Sequence, residues 1–204
     1  MSPLPNRRMF LRDSFFVAAG ACAGAVVPWA LERDLANRLV AQEKSSGESF
    51  EQRLKDLGIE LPPQPKPVAV YVPAVVTGNL LYTAGHIPFT AEGKLLLGRV
   101  GIDLSVQQGA EAARLVGLNI LSTVRHTLGS LDRVLRLVKV LGMVNCTSDF
   151  TQQSQVINGF SELMIQVFGE QAGKGARSSV GMGSLPNNTP VEIEAIFEVR
   201  PSKS

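Results

Sequence analysis

Val191-Glu192-Ile193-Glu194-Ala195-Ile196-Phe197-Glu198-Val199 reads as a β-strand with two unlike faces. Successive strand side chains point to opposite sides, so Val191, Ile193, Ala195, Phe197 and Val199 share one face, while Glu192, Glu194, Ile196 and Glu198 share the other. The first face is built to pack under helices, and three carboxylates look elsewhere. Two helices are available upstream. Ser105-Val106-Gln107-Gln108 has capping-box spacing, and Val106, Ala110, Ala113, Gly117, Ile120 and Val124 follow at steps of three and four until Gly129. Asp149 is expected to cap a second helix, with Val156, Phe160, Leu163 and Val167 on one face and Gly169 as its end. Residues 70–76 and 79–85 are β-rich and read as a hairpin about Thr77-Gly78. Residues 94–97, 134–144 and 178–182 are further strands by composition. The order β-β-β-α-β-α-β-β implies an α+β fold, a sheet with both helices packed on one face.

The chain has 204 residues, 45% hydrophobic and 19% charged, which suits one globular domain plus an extension and excludes a disordered chain. Two cysteines, Cys22 and Cys146, cannot staple a chain of this length. Neither His86 nor His126 stands near a second ligand, so no zinc spacing exists and no metal site is expected. At the N-terminus, Asn6-Arg7-Arg8-Met9-Phe10-Leu11-Arg12 precedes an Ala/Gly-rich apolar run, and the pattern resembles a bacterial twin-arginine (Tat) export signal. Residues 1–30 are read as that signal, with small residues for cleavage at Ala21-Cys22-Ala23 or Ala23-Gly24-Ala25. A retained anchor is the alternative, although residues 15–31 are at the lower limit for a span and contain Pro28. Lipid attachment at Cys22 lacks the usual preceding leucine. The expected location is therefore periplasmic or membrane-anchored, with membrane contact only if the segment is retained. Residues 31–67 are read as a charged helical and Pro-rich linker, including a short helix from Ser49 to Gly58, and residues 68–200 as the domain. Cleavage after Ala25 removes three of 20 basic and one of 18 acidic residues and takes the net charge from +2 to zero, so composition gives nucleic acid no support.

Chemistry is expected at two places. Glu194 lies at mid-strand between apolar neighbours, where desolvation would raise its pKa and fit it for a general-base role; solvent exposure is the simpler fate of Glu192 and Glu198. Arg177 stands at a loop-to-strand junction after Gly173-Lys174-Gly175, a placement suited to bidentate grip of a carboxylate; pairing with a structural Glu is the alternative. The glycines do not form a phosphate loop, because the Gly-x-x-x-x-Gly-Lys-Ser/Thr spacing is absent.

Tyr71-Val72-Pro73-Ala74-Val75, the Gly78–Pro88 block Gly-Asn-Leu-Leu-Tyr-Thr-Ala-Gly-His-Ile-Pro, Ala176-Arg177-Ser178-Ser179-Val180 and Val191-Glu192-Ile193-Glu194-Ala195-Ile196 resemble, in order, the blocks of the RidA (YjgF, endoribonuclease L-PSP) family. The resemblance implies a chorismate mutase-like fold and a homotrimer with three clefts between subunits. It also implies hydrolysis of a small 2-imino or 2-enamino acid to a 2-keto acid and ammonia, with no metal or organic cofactor. By position, Arg177 would hold the substrate carboxylate and Glu194 would position or activate water, while Tyr71, Asn158 and Ser179 would line the cleft. The sequence departs from the deaminase pattern at Ala84, where a serine is usual, at Ser179, where cysteine is common, and at Gly175, where proline is common. The Leu-Pro-Pro lead-in and the Gly-Ser-Leu-Asp-Arg-Val of residues 129–134 resemble a longer subgroup of undefined function. A non-catalytic small-molecule-binding trimer is therefore the second reading. Ribonuclease activity, suggested by the family's older name, finds no basic stripe, few aromatics and no acid/base histidine pair.

Overall fold

The computed structural model describes residues 49–64 and 70–201. The expected export signal and the helical stretch up to Lys44 lie outside the described residues. Among the described residues, no helix is long and apolar enough to cross a membrane. The elements are α1 (Phe50–Asp56), β1 (Ala74–Thr77), β2 (Leu80–Thr83), α2 (Val106–Leu128), β3 (Val134–Asn145), α3 (Gln153–Gly173), β4 (Ala176–Met182) and β5 (Val191–Val199). They build one five-stranded sheet in the order β1-β2-β5-β3-β4. Only the β3–β4 pair is parallel, as its crossover through α3 requires, and β5 lies antiparallel between β2 and β3.

The expected α+β architecture is the observed one. Val191, Ile193, Ala195, Phe197 and Val199 are all buried, against the layer formed by α2 and α3. The two helices approach closely: a Cβ at Gly159 would overlap the Ala110 carbonyl, and one at Gly117 would press on Leu163 and Phe160. The Ser105 capping box forms in both directions, with Gln108 N donating to Ser105 Oγ at 3.2 Å and Ser105 N to Gln108 Oε1 at 2.9 Å. Gly129 closes α2 in the left-handed region, φ 82°.

Three local expectations are corrected. Residues 94–97 form no strand: Thr90 to Lys94 is a tight turn, and only Leu95 bridges to Phe89. Asp149 does not cap α3. It bonds Thr147 in the preceding turn, and the helix starts after Gln152 with no side-chain cap. Gly169, at φ 78°, interrupts α3 as expected, but helix resumes to Gly173.

The fourth correction concerns the boundary at Val68. Part of the stretch read as linker belongs to the folded unit, which spans Glu48–Ser204. Leu54 of α1 is 1% exposed, and the Phe50 ring meets Phe168 edge-on at 4.9 Å. Glu51 receives Arg125 Nη2 at 2.7 Å and Leu131 N at 2.9 Å. In return, Asp132 accepts from Phe50 N at 2.7 Å and from Ser49 Oγ at 2.8 Å, so a carboxylate from far along the chain helps cap α1. Ser122 Oγ then donates to Pro62 O at 2.7 Å. A Leu54→Ala substitution is expected to cost about 2–5 kcal/mol in urea unfolding, as core truncations do; a cost within about 0.5 kcal/mol, typical of a surface position, would mean that α1 is not docked.

Candidate functional site: two half-sites on one sheet

The period-two pattern sorts the three carboxylates of β5 by what lies beside each. Glu198 is paired with Arg136 at 2.9 Å and accepts from Asn79 Nδ2. Glu194 is exposed, because no helix among the described residues covers this face; with Tyr82, Lys139, Leu141 and Ile196 it lines a shallow depression of about 250 Å³. The desolvation expected at Glu194 is instead found one pleat away. Glu192 is partly buried, and its carboxyl occupies the space that a side chain at position 85 would need: a Cβ on Gly85 would overlap Oε1 and lie 3.1 Å from Cγ. Burial first, and the nearby Glu194 charge second, raise the Glu192 pKa above the usual carboxylate range. Sequence reasoning missed Glu192 because its shelter comes from the 84–86 loop, which no local pattern on β5 announces.

Tyr71 is exposed and lies near the same end of the sheet. Ala84 N donates to Pro73 O at 2.9 Å, which prolongs the β1–β2 hairpin and carries Tyr71, two residues earlier, toward the Gly85 end.

Arg177 forms the second half-site, on edge strand β4. Its Nη1 donates to Asn158 Oδ1 and Ser161 Oγ, each at 2.9 Å, and its Nη2 to Ser154 O at 3.4 Å. All three acceptors belong to α3 and all are neutral. No carboxylate among the described residues neutralises this guanidinium, so the structural ion pair considered from the sequence is not formed. Partial burial lowers the Arg177 pKa, the mark of a cation with part of its water removed. The structure thus brings Arg177 and Asn158 together. Ser179, two residues along the same face of β4, has a buried hydroxyl with no hydrogen-bond partner among the described residues.

Within one chain the half-sites do not meet. Arg177 is in register with Val140, and Val140 with Ala195, all on the helix face; Glu192 is in register with Met143 on the opposite face. Two strand spacings across and three residues along put the Arg177 and Glu192 backbones roughly 14 Å apart, with the sheet between their side chains. A small substrate gripped by both requires a second copy of the chain.

A five-stranded mixed sheet with two helices packed on one face is the architecture of a chorismate mutase-like domain. Residues 51–195 match the family described as "YjgF/chorismate mutase-like, putative endoribonuclease", and the chain belongs to that family. It is 41% identical over 146 residues to Protein TCP17 of Trypanosoma cruzi, covering 72% of this chain and 91% of that one. Among solved structures, it is similar to Atu1372 of Agrobacterium tumefaciens, a protein of unknown function, at 42% identity and TM-score 0.67, covering 78% of this chain and 97% of that one. A "putative endoribonuclease" of Shewanella oneidensis aligns at 28% identity and TM-score 0.71, covering 74% of this chain and 100% of that one.

The raised pKa of Glu192 has a thermodynamic sign. A carboxyl that protonates more readily folded than unfolded adds no penalty below its unfolded pKa, and its charge opposes folding once the pH has risen through the folded value. Glu192→Gln is therefore expected to raise Tm at neutral pH, with the gain shrinking to zero in acid; calorimetry at several pH values checks this, and a lowered neutral Tm would contradict it.

Proposed function

We propose that the protein is an enamine/imine deaminase that hydrolyses a small 2-imino or 2-enamino acid to a 2-keto acid and ammonia, in clefts between the subunits of a homotrimer. The observation that carries this reading is Arg177, a cation fixed by Asn158, Ser161 and Ser154 and left without an anion among the described residues. A bidentate pair with a substrate carboxylate would supply one. Ser179 Oγ, buried and unpartnered beside it, offers a further hydrogen bond. From the neighbouring copy, Glu192 takes a proton from water as the water oxygen bonds to the imine carbon. It passes that proton to the imine nitrogen, giving a carbinolamine, then takes the hydroxyl proton and delivers it to the departing nitrogen as the C–N bond breaks and the C=O bond forms. Both water protons thus reach nitrogen, one water enters and one ammonia leaves. Burial raises the pKa of Glu192, which shifts it toward a group that can both accept and donate a proton. Glu194, whose charge contributes to that shift, acts through Glu192 rather than on the substrate.

The trimer is proposed because the sheet face opposite α2 and α3 exposes Val75, Tyr82 and Val180, and both sheet edges are unpaired among the described residues. Export by the twin-arginine route belongs to the same proposal and rests on residues 6–27 alone; the N-terminal sequence of the mature protein tests it.

Release of 2-keto acid from 2-aminoacrylate generated in situ tests the activity. The protein should accelerate release, and Arg177→Ala should slow it by about 10²-fold, the scale of a lost charge-assisted pair. Glu192→Gln should slow it by about 10²–10⁴-fold, while Glu194→Gln costs far less. Equal rates with and without protein would overturn the enzymatic reading. Thermal stabilisation by 2-keto acids without turnover, lost in Arg177→Ala, would then favour the ligand-binding trimer.

A further inference from the structure

The loop that shelters Glu192 is fastened by buried polar groups that hydrophobic periodicity passes over. His86 is 6% exposed and makes two ring bonds, Nδ1 to Ala84 O and Nε2 to Thr123 Oγ1, each at 2.8 Å. A carbonyl oxygen only accepts, so Nδ1 carries the proton, and Nε2 of the neutral ring accepts from the Thr123 hydroxyl. The His86 backbone exchanges both of its hydrogen bonds with Ile193, the residue after Glu192, at 2.8 and 3.0 Å. Gly85, against which the Glu192 carboxyl rests, thus lies between a carbonyl held by the ring and a residue laced to β5.

Helix α2 commits a second side chain to the same segment. Asn119, one turn before Thr123, is 1% exposed and donates to Phe89 O at 3.0 Å and Ile87 O at 3.4 Å. Thr123 is 0% exposed. Two polar residues on the buried face of a helix are costly unless satisfied, and here both are satisfied by residues 84–89.

We infer that His86 is a positioning residue: its ring, clamped between the Ala84 carbonyl and the Thr123 hydroxyl, holds the Gly85 backbone in the place where the Glu192 carboxyl is sheltered. The consequence for turnover rests on the reading of Glu192 as the proton-transfer group; the consequence for the carboxyl itself does not. Burial lowers the pKa of His86, which keeps the ring neutral and this tautomer in place at physiological pH. Without the clamp, the loop relaxes and water reaches the carboxyl, so Glu192 becomes more acidic although no group touching it has changed.

Carbon-13 NMR titration of Glu-labelled protein, with Glu192→Gln identifying the signal, reads the carboxyl directly, and the keto-acid assay reads turnover. In His86→Ala the Glu192 midpoint should fall by about one pH unit, and kcat about tenfold with KM within about twofold. His86→Gln, whose amide can still donate to Ala84 O and accept from Thr123, should restore both. Thr123→Val keeps the shape, drops the hydroxyl and should shift the midpoint in the same direction, which answers the question if His86→Ala does not fold. A folded His86→Ala or Thr123→Val protein with an unchanged Glu192 midpoint overturns the inference. A midpoint that moves in a protein showing no turnover in any form upholds the positioning role and removes the deaminase reading instead.

Discussion

Strand β5 is hydrogen-bonded on both sides, and its two-residue period fixes what each face of the sheet can be. Val191, Ile193, Phe197 and Val199, at roughly 1.5–3 kcal/mol each when fully buried, hold one face under α2 and α3, with Ala195 packed among them. A slip of one residue would drive three glutamates into that core, so the register has no competitor. The same register sets Glu198 beside Arg136, leaves Glu194 open and presses Glu192 against Gly85. The chemistry of the outer face follows from the packing of the inner one.

The parts of the fold that could be read from sequence are those whose cause is local. The alternation of β5, the capping box at Ser105 and the stop at Gly129 each lie within a few residues of the element they define, and each forms as expected. What could not be read has causes distant in sequence. Helix α1 is docked by Asp132, Arg125 and Phe168, none within 60 residues of it, so its own short, charged sequence looks like a linker. The apolar residues 94–97 resemble a strand, yet a tight turn and the absence of a sheet neighbour leave Leu96 and Leu97 exposed. Asp149 has the right chemistry for a cap, but Thr147 engages it first.

The site divides in the same way. Arg177 lies in a block that resembles the family's and Asn158 is placed only by its position in the second helix, and the two are hydrogen-bonded. Which carboxylate is desolvated depends on where the 84–86 loop folds back, and mid-strand placement was a poor guide: the centre of β5 is buried on one face only. Glu192 is sheltered because Gly85 lacks a side chain and because His86, Thr123 and Asn119 fasten the loop. A buried neutral histidine and two buried polar residues on a helix are a substantial investment for one loop, consistent with a site whose geometry matters more than its contribution to stability.

The arrangement of the two half-sites carries the functional account. The guanidinium lies on the helix side of the β4 edge and the sheltered carboxyl on the other side of the sheet, so neither a change of side-chain rotamer nor a small loop movement joins them within one chain. Copies related by rotation can bring one protomer's β4 edge to its neighbour's Glu192, and a closed ring does so at every interface. Subunit mixing tests this most directly. Arg177→Ala and Glu192→Gln proteins, each slowed at least about 10²-fold alone, are combined, dissociated, reassociated and assayed for keto-acid release. A site shared between copies predicts recovery to about a quarter of wild-type activity, the share of clefts that random mixing leaves with both residues intact. A mixture that reassembles fully and stays inactive would show that each protomer must supply both residues to its own site, and would contradict the account.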